Sequence, residues 1–407
     1  MKRIATAILS FSLCIILTLA LSSCGAPVET AQLQPSETQP EEDRPSSYTA
    51  VASSYAYDHL SEKEQALYEQ IKIALLLHEP SIEDGLEGFT HEQLGKVHRF
   101  VMLDSPEIFW ANESGTTYTS ELNGVKSVTK YEFHYTLDKT QRDAVQEQID
   151  ASTASFLNTV EPGLSEYERV LAVYEYIIET TDYDLAAKEK IASDSDDDSA
   201  AASQTIESVF VSKKTVCSGY SKATQYLLNK LGVFCLYISG SAKGEGNNHA
   251  WNLVKIDGDC YLLDTTWGNP ISDDPAQGKR MTYNYFCLTT DEFNKTHTPN
   301  VDIPIPDCSA TKYNYFVYNK LLCAEYDTTQ LETILSTAAA DGQAGINIKF
   351  ADSVTAQKAM DALFGETQEI FKILRSASAA NAELDTTSVS NSFDPDTNVL
   401  YIILNYK

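Results

Sequence analysis

The distribution of apolar and polar residues along this chain predicts five consecutive segments. An apolar run, Ile4 to Leu21, precedes a stretch rich in Pro, Glu, Gln, Ser and Thr that has almost nothing to bury and is typical of a solvated tether. Helical and strand-like periods begin near Tyr55. The predicted division is a signal peptide over 1–23, a flexible tether over 24–54, an N-terminal α/β domain over 55–160, a central domain over 161–325 and a small C-terminal α/β domain over 326–407.

Amphipathic helices account for much of the predicted structure. Ser61 to Glu64 has the spacing of a capping box, and apolar residues follow it at helical period. The polar and acidic stretch 192–203 predicts a loop, and the period is lost between Pro270 and Tyr315. Further helices are predicted over 92–102, 139–158, 167–180 and 330–339, with helical stretches between Phe350 and Arg375, and strands over 125–137, 346–350 and 399–404.

Two strands joined by a tight turn form the most specific local feature. The segments 249–256 and 259–266 have strand-like composition and flank Asp257-Gly258, a dipeptide that favours a two-residue turn. Such a turn fixes the register, so that His249 and Asp264 lie on one face of the hairpin at diagonal positions. A slip of one residue would move Asp264 to the other face, so the pairing depends on this turn.

Composition and charge narrow the classes of function. The chain has 407 residues, of which 43% are hydrophobic, and this share is too high for general disorder. The formal net charge of −28 argues against a nucleic-acid partner, because proteins bind the phosphate backbone by neutralising it with Lys and Arg. It equally disfavours electrostatic docking on anionic lipid. Eight cysteines are too few for a disulfide scaffold in a chain of this length.

The first residues have the pattern of a targeting signal. Lys2 and Arg3 precede the apolar run, which ends in Leu21-Ser22-Ser23-Cys24. Small residues before a cysteine at this point resemble the lipobox of bacterial lipoproteins, in which the cysteine is diacylated and becomes the first mature residue. We therefore expect lipid on Cys24 and a position on the outer face of the cytoplasmic membrane. An ordinary secretory signal and a short membrane anchor are the alternatives.

Cys217 differs from the other thiols in its setting. It precedes Ser218-Gly219-Tyr220 at the start of a predicted helix that Gly232 ends. The free N–H groups and the positive end of the helix dipole favour a thiolate at such a position. Gly219 would let a substrate approach the backbone, and nearby N–H groups could face a developing oxyanion. A lone cysteine at a helix start is more often structural, so the prediction requires a partner.

His249 and Asp264 supply that partner. A carboxylate beside His249 can fix the tautomer of the imidazole and hold the ring toward a thiolate, which completes the nucleophile, base and orienter of a thiol enzyme. The nearby Trp251 and Trp267 are candidates for the wall of a substrate groove or for core positions.

Other residues that could carry chemistry have simpler interpretations. No pair of cysteines has metal-ligand spacing, which predicts no metal site. The alternating Asp194, Asp196 and Asp198 lack the glycine and glutamate of a calcium loop. No role is assigned to six scattered histidines, which are His59, His78, His91, His98, His134 and His297. The remaining thiols, to which the sequence gives no disulfide pairing, are Cys235, Cys260, Cys287, Cys308 and Cys323.

The motifs around these three residues resemble a known family. The chain is similar in order and spacing to the Cys, His and Asp motifs of the transglutaminase-like superfamily. The resemblance is specific over about Tyr167 to Pro270. It is carried by Thr215–Ala223, Asn248–Asn252 and Asp264–Trp267, and Asp104–Trp110 and Tyr183-Asp184 also resemble the upstream region of bacterial surface members.

The resemblance implies an α+β fold with a papain-like transglutaminase core. A helix that bears the cysteine would pack on an antiparallel sheet that bears the histidine and the aspartate, with the N-terminal and C-terminal α/β units on either side. It also implies Cys217 as nucleophile, His249 as base and Asp264 as orienter. Members of the superfamily are transglutaminases, peptidases or amidases, and some are non-catalytic. The sequence has no glutamine just before Cys217 to serve as a second oxyanion donor, and Tyr183 and Gln204 are weak candidates.

The predicted function is acyl transfer at a protein or peptide amide through a Cys217 thioester. Hydrolysis is slightly preferred to cross-linking, because no feature of the sequence indicates that water is excluded. The substrate would be a protein or peptide, including cell-wall peptide, and no cofactor is expected. The alternative is a non-catalytic surface module that uses the papain-like core as a scaffold for binding.

Overall fold

The computed structural model describes residues 50, 54–193, 198–244, 246–270, 281–300 and 303–407. These residues all belong to one compact unit, Ser47–Lys407. The predicted lipid site Cys24 lies outside the described residues, as do Asp194 and Asp196. Among the helices of the described part of the chain, none is both long enough and apolar enough to cross a membrane.

The N-terminal region packs helices on a three-stranded sheet. The predicted capping box at Ser61 is confirmed, and Thr90 and Asp138 begin the next two long helices with the same arrangement. Strand β2 was not predicted, because its Thr, Ser and Glu residues lack a clear alternation. The sheet has the order β1-β3-β2. The elements are α1 (Glu62–Leu77), β1 (Ser81–Ile82), α2 (His91–Asp104), β2 (Ala111–Leu122), β3 (Val125–Tyr135) and α3 (Lys139–Leu157).

The buried Asp104 joins the beginning of the described chain to the end of α2. Its carboxylate accepts hydrogen bonds from the backbone N–H groups of Ala56 and Tyr57 and from the Tyr68 hydroxyl, at 3.0 to 3.2 Å. The apolar loop after Asp104 is buried, and Trp110 donates its indole N–H to the Leu75 carbonyl. These contacts give the loop the core position that its apolar composition indicates.

The central region supplies a second sheet and the helix that packs on it. The four-stranded sheet has the order β8-β7-β6-β9, and α7 contacts β6 and β7. A π-helical turn, Ser208–Ser212, precedes β5. The elements are α4 (Glu166–Thr180), β4 (Asp182–Tyr183), α5 (Leu185–Ala192), α6 (Asp198–Ala202), β5 (Lys214–Thr215), α7 (Cys217–Lys230), β6 (Cys235–Ala242), β7 (Gly246–Ile256), β8 (Asp259–Leu263), α8 (Thr290–Phe293), β9 (His297–Pro299) and α9 (Tyr315–Tyr318).

The hairpin β7–β8 has the predicted register. Ile256 pairs with Asp259, and both turn residues, Asp257 and Gly258, have positive φ values of 52° and 88°. This is the conformation that a two-residue turn of this kind requires and that Asp-Gly favours. The strand β8 is shorter than predicted and ends at Leu263. Asp264 therefore lies one residue beyond the ladder.

The prediction of a loop over residues 192–203 is wrong in part. The polar stretch 192–203 contains the short helix α6, Asp198–Ala202, because three consecutive alanines favour helix despite the acidic residues around them. The aperiodic stretch after Pro270 also contains structure, since 290–293 is helical and 297–299 adds a strand to the central sheet. Residues 271–280 lie outside the described part of the chain.

A single hydrophobic core joins the N-terminal region to the central region. It contains side chains from both, for example Phe100 and Phe156 together with Tyr174 and Leu227. A smaller cluster around Trp251 fills the other side of the central sheet. No observation tests the boundaries predicted at 160 and 325, which stay predictions.

The C-terminal region has its own sheet and its own core. The sheet order is β10-β11-β13-β12, and α10, α11 and α12 pack on it around a separate hydrophobic cluster. The polar contacts that connect it to the central region in the described part of the chain include Lys243 with Asp396 at 2.7 Å, Asn284 with Asp394 at 2.7 Å and Lys349 with Glu292 at 3.2 Å. The elements are β10 (Leu322–Cys323), α10 (Thr328–Ala340), β11 (Gly345–Phe350), α11 (Ser353–Phe364), α12 (Glu369–Ala377), β12 (Ser390–Asp394) and β13 (Val399–Ile403).

Candidate active site

Cys217 is the first residue of α7. The preceding residue, Val216, has an extended backbone and gives no side-chain cap, so the first N–H groups of the helix are free to face a ligand. The thiol is 9% exposed, and its sulfur lies 3.9 Å from the carbonyl oxygen of Asn248 on β7. The structure therefore places Cys217 at a helix start and beside the strand that bears the predicted base.

His249 and Asp264 form a buried pair. Nε2 of His249 donates to Oδ2 of Asp264 at 2.8 Å, and the side chains are 1% and 0% exposed. The other oxygen of Asp264, Oδ1, accepts from the backbone N–H of Trp267 at 3.0 Å. The hydrogen bond to Asp264 occupies Nε2 of the ring. It leaves Nδ1 as the nitrogen that can exchange a proton with the reacting groups.

The environment sets the charges of this pair. Burial alone would lower the pKa of His249, but attraction to Asp264, the hydrogen bond between them and the nearby Cys217 thiol together raise it to about 10. Burial alone would raise the pKa of the Asp264 carboxyl, whereas attraction to His249 and hydrogen bonds from two histidines hold it well below its usual range. The geometry favours an imidazolium and a carboxylate at neutral pH.

The second histidine that donates to Asp264 is His297, to which the sequence assigned no role. Its Nε2 lies 3.2 Å from Oδ2 of Asp264, and its side chain is fully buried. His297 follows Asp264 by 33 positions in a stretch without period, so no local pattern indicated the contact. The pairing of β9 with β6 brings it there.

His249, Asp264 and His297 are also the set of side chains in the described part of the chain that could offer three ligands to a metal ion. Their ligand atoms lie within 4.8 Å of one another. Those atoms already pair by hydrogen bonds of 2.8 and 3.2 Å. An ion here would also take the nitrogen through which Asp264 orients His249. We therefore interpret the cluster as a hydrogen-bonded network, and the predicted lack of a metal site stays a prediction.

Cys217 and His249 line one cavity of about 410 Å³, here called the thiol cavity. Tyr183 and Gln204, the two weak candidates for an oxyanion donor, both lie in its wall. Ser218 follows Cys217 in the same wall, so backbone N–H groups of the first turn of α7 lie close to the Cys217 sulfur. The cavity thus gathers the predicted nucleophile, the predicted base and polar groups around one space.

The two tryptophans predicted near the site have different positions. Trp251 is 1% exposed and packs in the core, with its ring centroid 6.1 Å from that of His249. Trp267 is only half-buried, lies 5.6 Å from the His249 ring and lines an adjoining cavity of about 450 Å³. Tyr183 and Lys188 line both cavities. The structure therefore places Trp267 where a substrate could reach it and Trp251 where it supports the histidine from behind.

Close packing explains why residue 219 is a glycine, and the sequence did not indicate this constraint. A Cβ atom on it would lie 1.9 Å from Oγ1 of Thr215 and 2.8 Å from Oγ of Ser208. Both hydroxyls are buried and bond to each other at 2.6 Å. Gly219 thus allows α7 to begin directly against the π-helical turn that precedes it, and its predicted contact with substrate stays a prediction.

Comparison with known proteins identifies this part of the chain. Residues 154–265 match the family model of the transglutaminase-like superfamily. This segment is a transglutaminase-like domain. It contains Cys217, His249 and Asp264, whereas His297 lies beyond its end.

Two curated relatives have the same name. The chain is 28% identical to kyphoscoliosis peptidase of Mus musculus over 238 residues, which are 50% of this chain and 33% of that protein. It is 27% identical to kyphoscoliosis peptidase of Homo sapiens over 192 residues, which are 42% and 28% of the two chains. The chain therefore spans about a third of the length of these relatives.

Solved structures with transglutaminase-like or protease descriptions are similar to parts of the chain. One is a TGase, with 20% identity and a TM-score of 0.28 over 39% of this chain and 46% of that one. Another is a putative cysteine protease from Cytophaga hutchinsonii, with 14% identity and a TM-score of 0.22 over 42% of this chain and 66% of that one.

Proposed function

We propose that the transglutaminase-like domain catalyses acyl transfer at protein or peptide amides through a thioester on Cys217, with hydrolysis as the preferred outcome. The observation that carries this proposal is the shared thiol cavity: Cys217 at the start of α7 and His249, held by the buried Asp264, line the same space. This is the arrangement of an activated nucleophile, a base and an orienting carboxylate.

The first half-reaction forms the thioester. The Cys217 thiolate attacks the amide carbonyl carbon, and N–H groups at the start of α7 stabilise the oxyanion. The C–N bond then breaks as the His249 imidazolium gives its proton to the leaving amine or ammonia. Asp264 keeps the ring oriented and stabilises its charge throughout.

The second half-reaction resolves the thioester. Neutral His249 takes a proton from water as the oxygen attacks the carbonyl carbon, and the C–S bond breaks to give a carboxylic acid and the thiolate. A primary amine in place of water would give a cross-link. Hydrolysis is preferred because water is far more concentrated than any amine.

The direct test is turnover of peptide amides by the Cys217→Ala variant. Mass spectrometry would follow the release of ammonia or amine from a library of peptide amides and wall peptides, with and without added cadaverine. We expect the wild type to release carboxylic acid and the variant to have no activity. Cys260→Ala, which removes a half-buried thiol outside the thiol cavity, is the matched control and keeps full activity. Turnover by Cys217→Ala would refute the assignment of the nucleophile.

The rates at which the thiols are alkylated distinguish an enzyme from a non-catalytic binding module that uses the same fold as a scaffold. Cys217 faces the thiol cavity, whereas burial raises the pKa of the thiols of Cys235, Cys287, Cys308 and Cys323. Iodoacetamide at neutral pH should therefore modify Cys217 first, with the half-buried Cys260 second. Slow and uniform labelling of all six thiols would favour the binding module.

The location is a separate proposal that rests on the sequence around Cys24. We propose a lipid-anchored position on the outer face of the cytoplasmic membrane, where the acyl chains would hold the acidic protein at a surface that its charge disfavours. Metabolic labelling with a fatty-acid analogue should mark the wild type and leave Cys24→Ala unlabelled in the soluble fraction. Equal labelling of both would exclude this anchor.

A further inference from the structure

The Asp264 carboxylate receives three hydrogen bonds in a fully buried position. Oδ1 accepts from the Trp267 backbone, and Oδ2 accepts from both His249 and His297. An ionised carboxylate has no hydrogen to donate, so each histidine must present an N–H at Nε2. The tautomer of His297 is therefore fixed by the same oxygen that fixes the tautomer of His249.

His297 is itself held firmly in place. Its Nδ1 lies 2.9 Å from the hydroxyl oxygen of Thr296, and its ring centroid lies 4.1 Å from Phe293 and 4.5 Å from Trp267. The strand that begins with His297 pairs with β6 in the central sheet. A ring that is packed on its faces and bonded at both nitrogens cannot turn away from Asp264 without breaking these contacts.

We propose that His297 is a positioning residue of the thiol site, which fixes the orientation and the ionised state of Asp264 and acts on the reaction only through the Asp264–His249 pair. This inference rests on the proposed function. His297 is not catalytic in the sense of touching substrate, because its side chain is fully buried and is not among those that line the thiol cavity, although its ring centroid lies 5.4 Å from that of His249. Loss of this second donor would raise the pKa of the Asp264 carboxyl, because burial opposes the charged form, and a carboxylate with fewer hydrogen bonds holds the imidazolium less firmly in one orientation.

Several titratable groups face this network from the surrounding elements. Cys217 on α7 and His249 on β7 are the members that exchange protons, and Asp264 follows β8. Tyr174 on α4, Tyr237 on β6 and Tyr285 before α8 are titratable neighbours, and burial raises the pKa of all three phenols, so that they stay neutral at neutral pH. Glu113, Tyr183 and Lys188 line the thiol cavity together with Cys217 and His249. A change in the pH profile that follows substitution of His297 therefore reports on the Asp264–His249–Cys217 network.

The test compares two substitutions of His297, only one of which keeps a hydrogen-bond donor to Asp264. His297→Phe keeps a ring but removes the donor to Asp264, and His297→Gln supplies a side-chain N–H at a similar distance from the backbone. We expect His297→Phe to lower kcat by roughly 10- to 100-fold, as loss of such outer partners does at other sites, with little change in KM. We also expect the alkaline limb of its pH profile to move to lower pH. His297→Gln should recover most of kcat. His98→Phe, at a buried histidine whose hydrogen-bond partner is Tyr131 rather than a member of this network, is the matched control and should leave the pH profile unchanged.

A second measurement does not depend on turnover. The rate of alkylation of Cys217 by iodoacetamide across pH reports the state of the thiol and the imidazole even if no substrate is found. A shifted alkylation profile in folded His297→Phe, with recovery in His297→Gln, would support the positioning role even if the proposed function failed. An unchanged alkylation profile and unchanged kcat in folded His297→Phe would overturn it. Loss of activity on chelation, restored by zinc, would also overturn it, since these residues would then be metal ligands.

Discussion

Two fully buried histidines in this protein have opposite electrostatic environments. His98, on α2 in the N-terminal region, is 0% exposed, and burial lowers its pKa from 6.5 to about 4. Its Nδ1 lies 3.0 Å from the Tyr131 hydroxyl, and its Nε2 has no hydrogen-bond partner among the described residues. His249, in the central region, is buried almost as deeply, yet its pKa is raised because Asp264 lies 2.8 Å away.

Burial alone does not decide the charge of a histidine in this protein. Removal from water disfavours the imidazolium at both positions, and a neutral hydroxyl partner does not compensate for it. A carboxylate in hydrogen-bond contact reverses the sign of the shift. The same residue type is therefore a neutral core residue in one region and a charged partner of a thiol in the other.

The largest effect is expected from removing the charge of Asp264, because His249 would then be buried without a carboxylate partner, as His98 is. Asp264→Asn keeps the shape of the side chain but removes the charge, so that burial dominates and the pKa of His249 falls. We expect kcat/KM for a peptide amide to fall by roughly 10³- to 10⁴-fold. The alkaline limb, which should lie near pH 10 in the wild type, should move to lower pH by more than one unit. An alkaline limb that stays in place would contradict this account of the His249 charge.

A smaller effect is expected on the free energy of unfolding when the pH is lowered, because His98 in the N-terminal region is buried in its neutral form. Below pH 6.5 an unfolded chain binds a proton at His98 that the folded protein does not bind until about pH 4, so stability falls as the pH falls through this window. The loss from this residue is at most about 3 kcal/mol. His98→Gln should have a flatter dependence of the free energy of unfolding on pH, measured by denaturant titration at several pH values between 7 and 4. Parallel curves for the variant and the wild type would show that His98 does not titrate as proposed.

His249, the proposed base, should give the opposite slope of stability against pH. The folded pKa of His249 lies above its unfolded value, so its contribution to stability is complete below pH 6.5 and is lost as the pH rises toward about 10. His249→Gln should therefore flatten the alkaline side of the same stability curve, whereas His98→Gln should leave that side unchanged.

The smallest effect is expected from removing the hydroxyl of Tyr131, the neutral partner of His98. Tyr131→Phe removes the hydroxyl that lies 3.0 Å from Nδ1, which should cost about 1 kcal/mol of unfolding free energy and leave kcat unchanged. Tyr118→Phe, on a strand of the same sheet but 43% exposed, is the control and should change stability by less than about 0.5 kcal/mol. A loss of catalytic activity in Tyr131→Phe would show that the two regions are coupled, contrary to this comparison.

Much of the fold follows from local patterns in the sequence. Capping residues at Ser61, Thr90 and Asp138 mark helix starts through contacts that span only three positions. The turn Asp257-Gly258 sets the register of β7 and β8 because both residues must adopt positive φ. Weakly patterned elements were missed, among them the polar strand β2, the short helices α6 and α8 and the strand β9.

The candidate site likewise contains residues that local sequence patterns indicate and residues that only packing brings together. Local sequence specifies that Cys217 begins a helix and that His249 and Asp264 lie near each other, because a helix stop, a turn and a strand period are all encoded within a few residues. The other residues of the site are brought there by tertiary packing. His297 comes from a strand 33 positions after Asp264, Tyr183 and Gln204 come from separate segments, and Thr215 explains Gly219 through a contact that no spacing encodes. Such neighbours depend on how whole elements pack, which no pattern of nearby residues specifies.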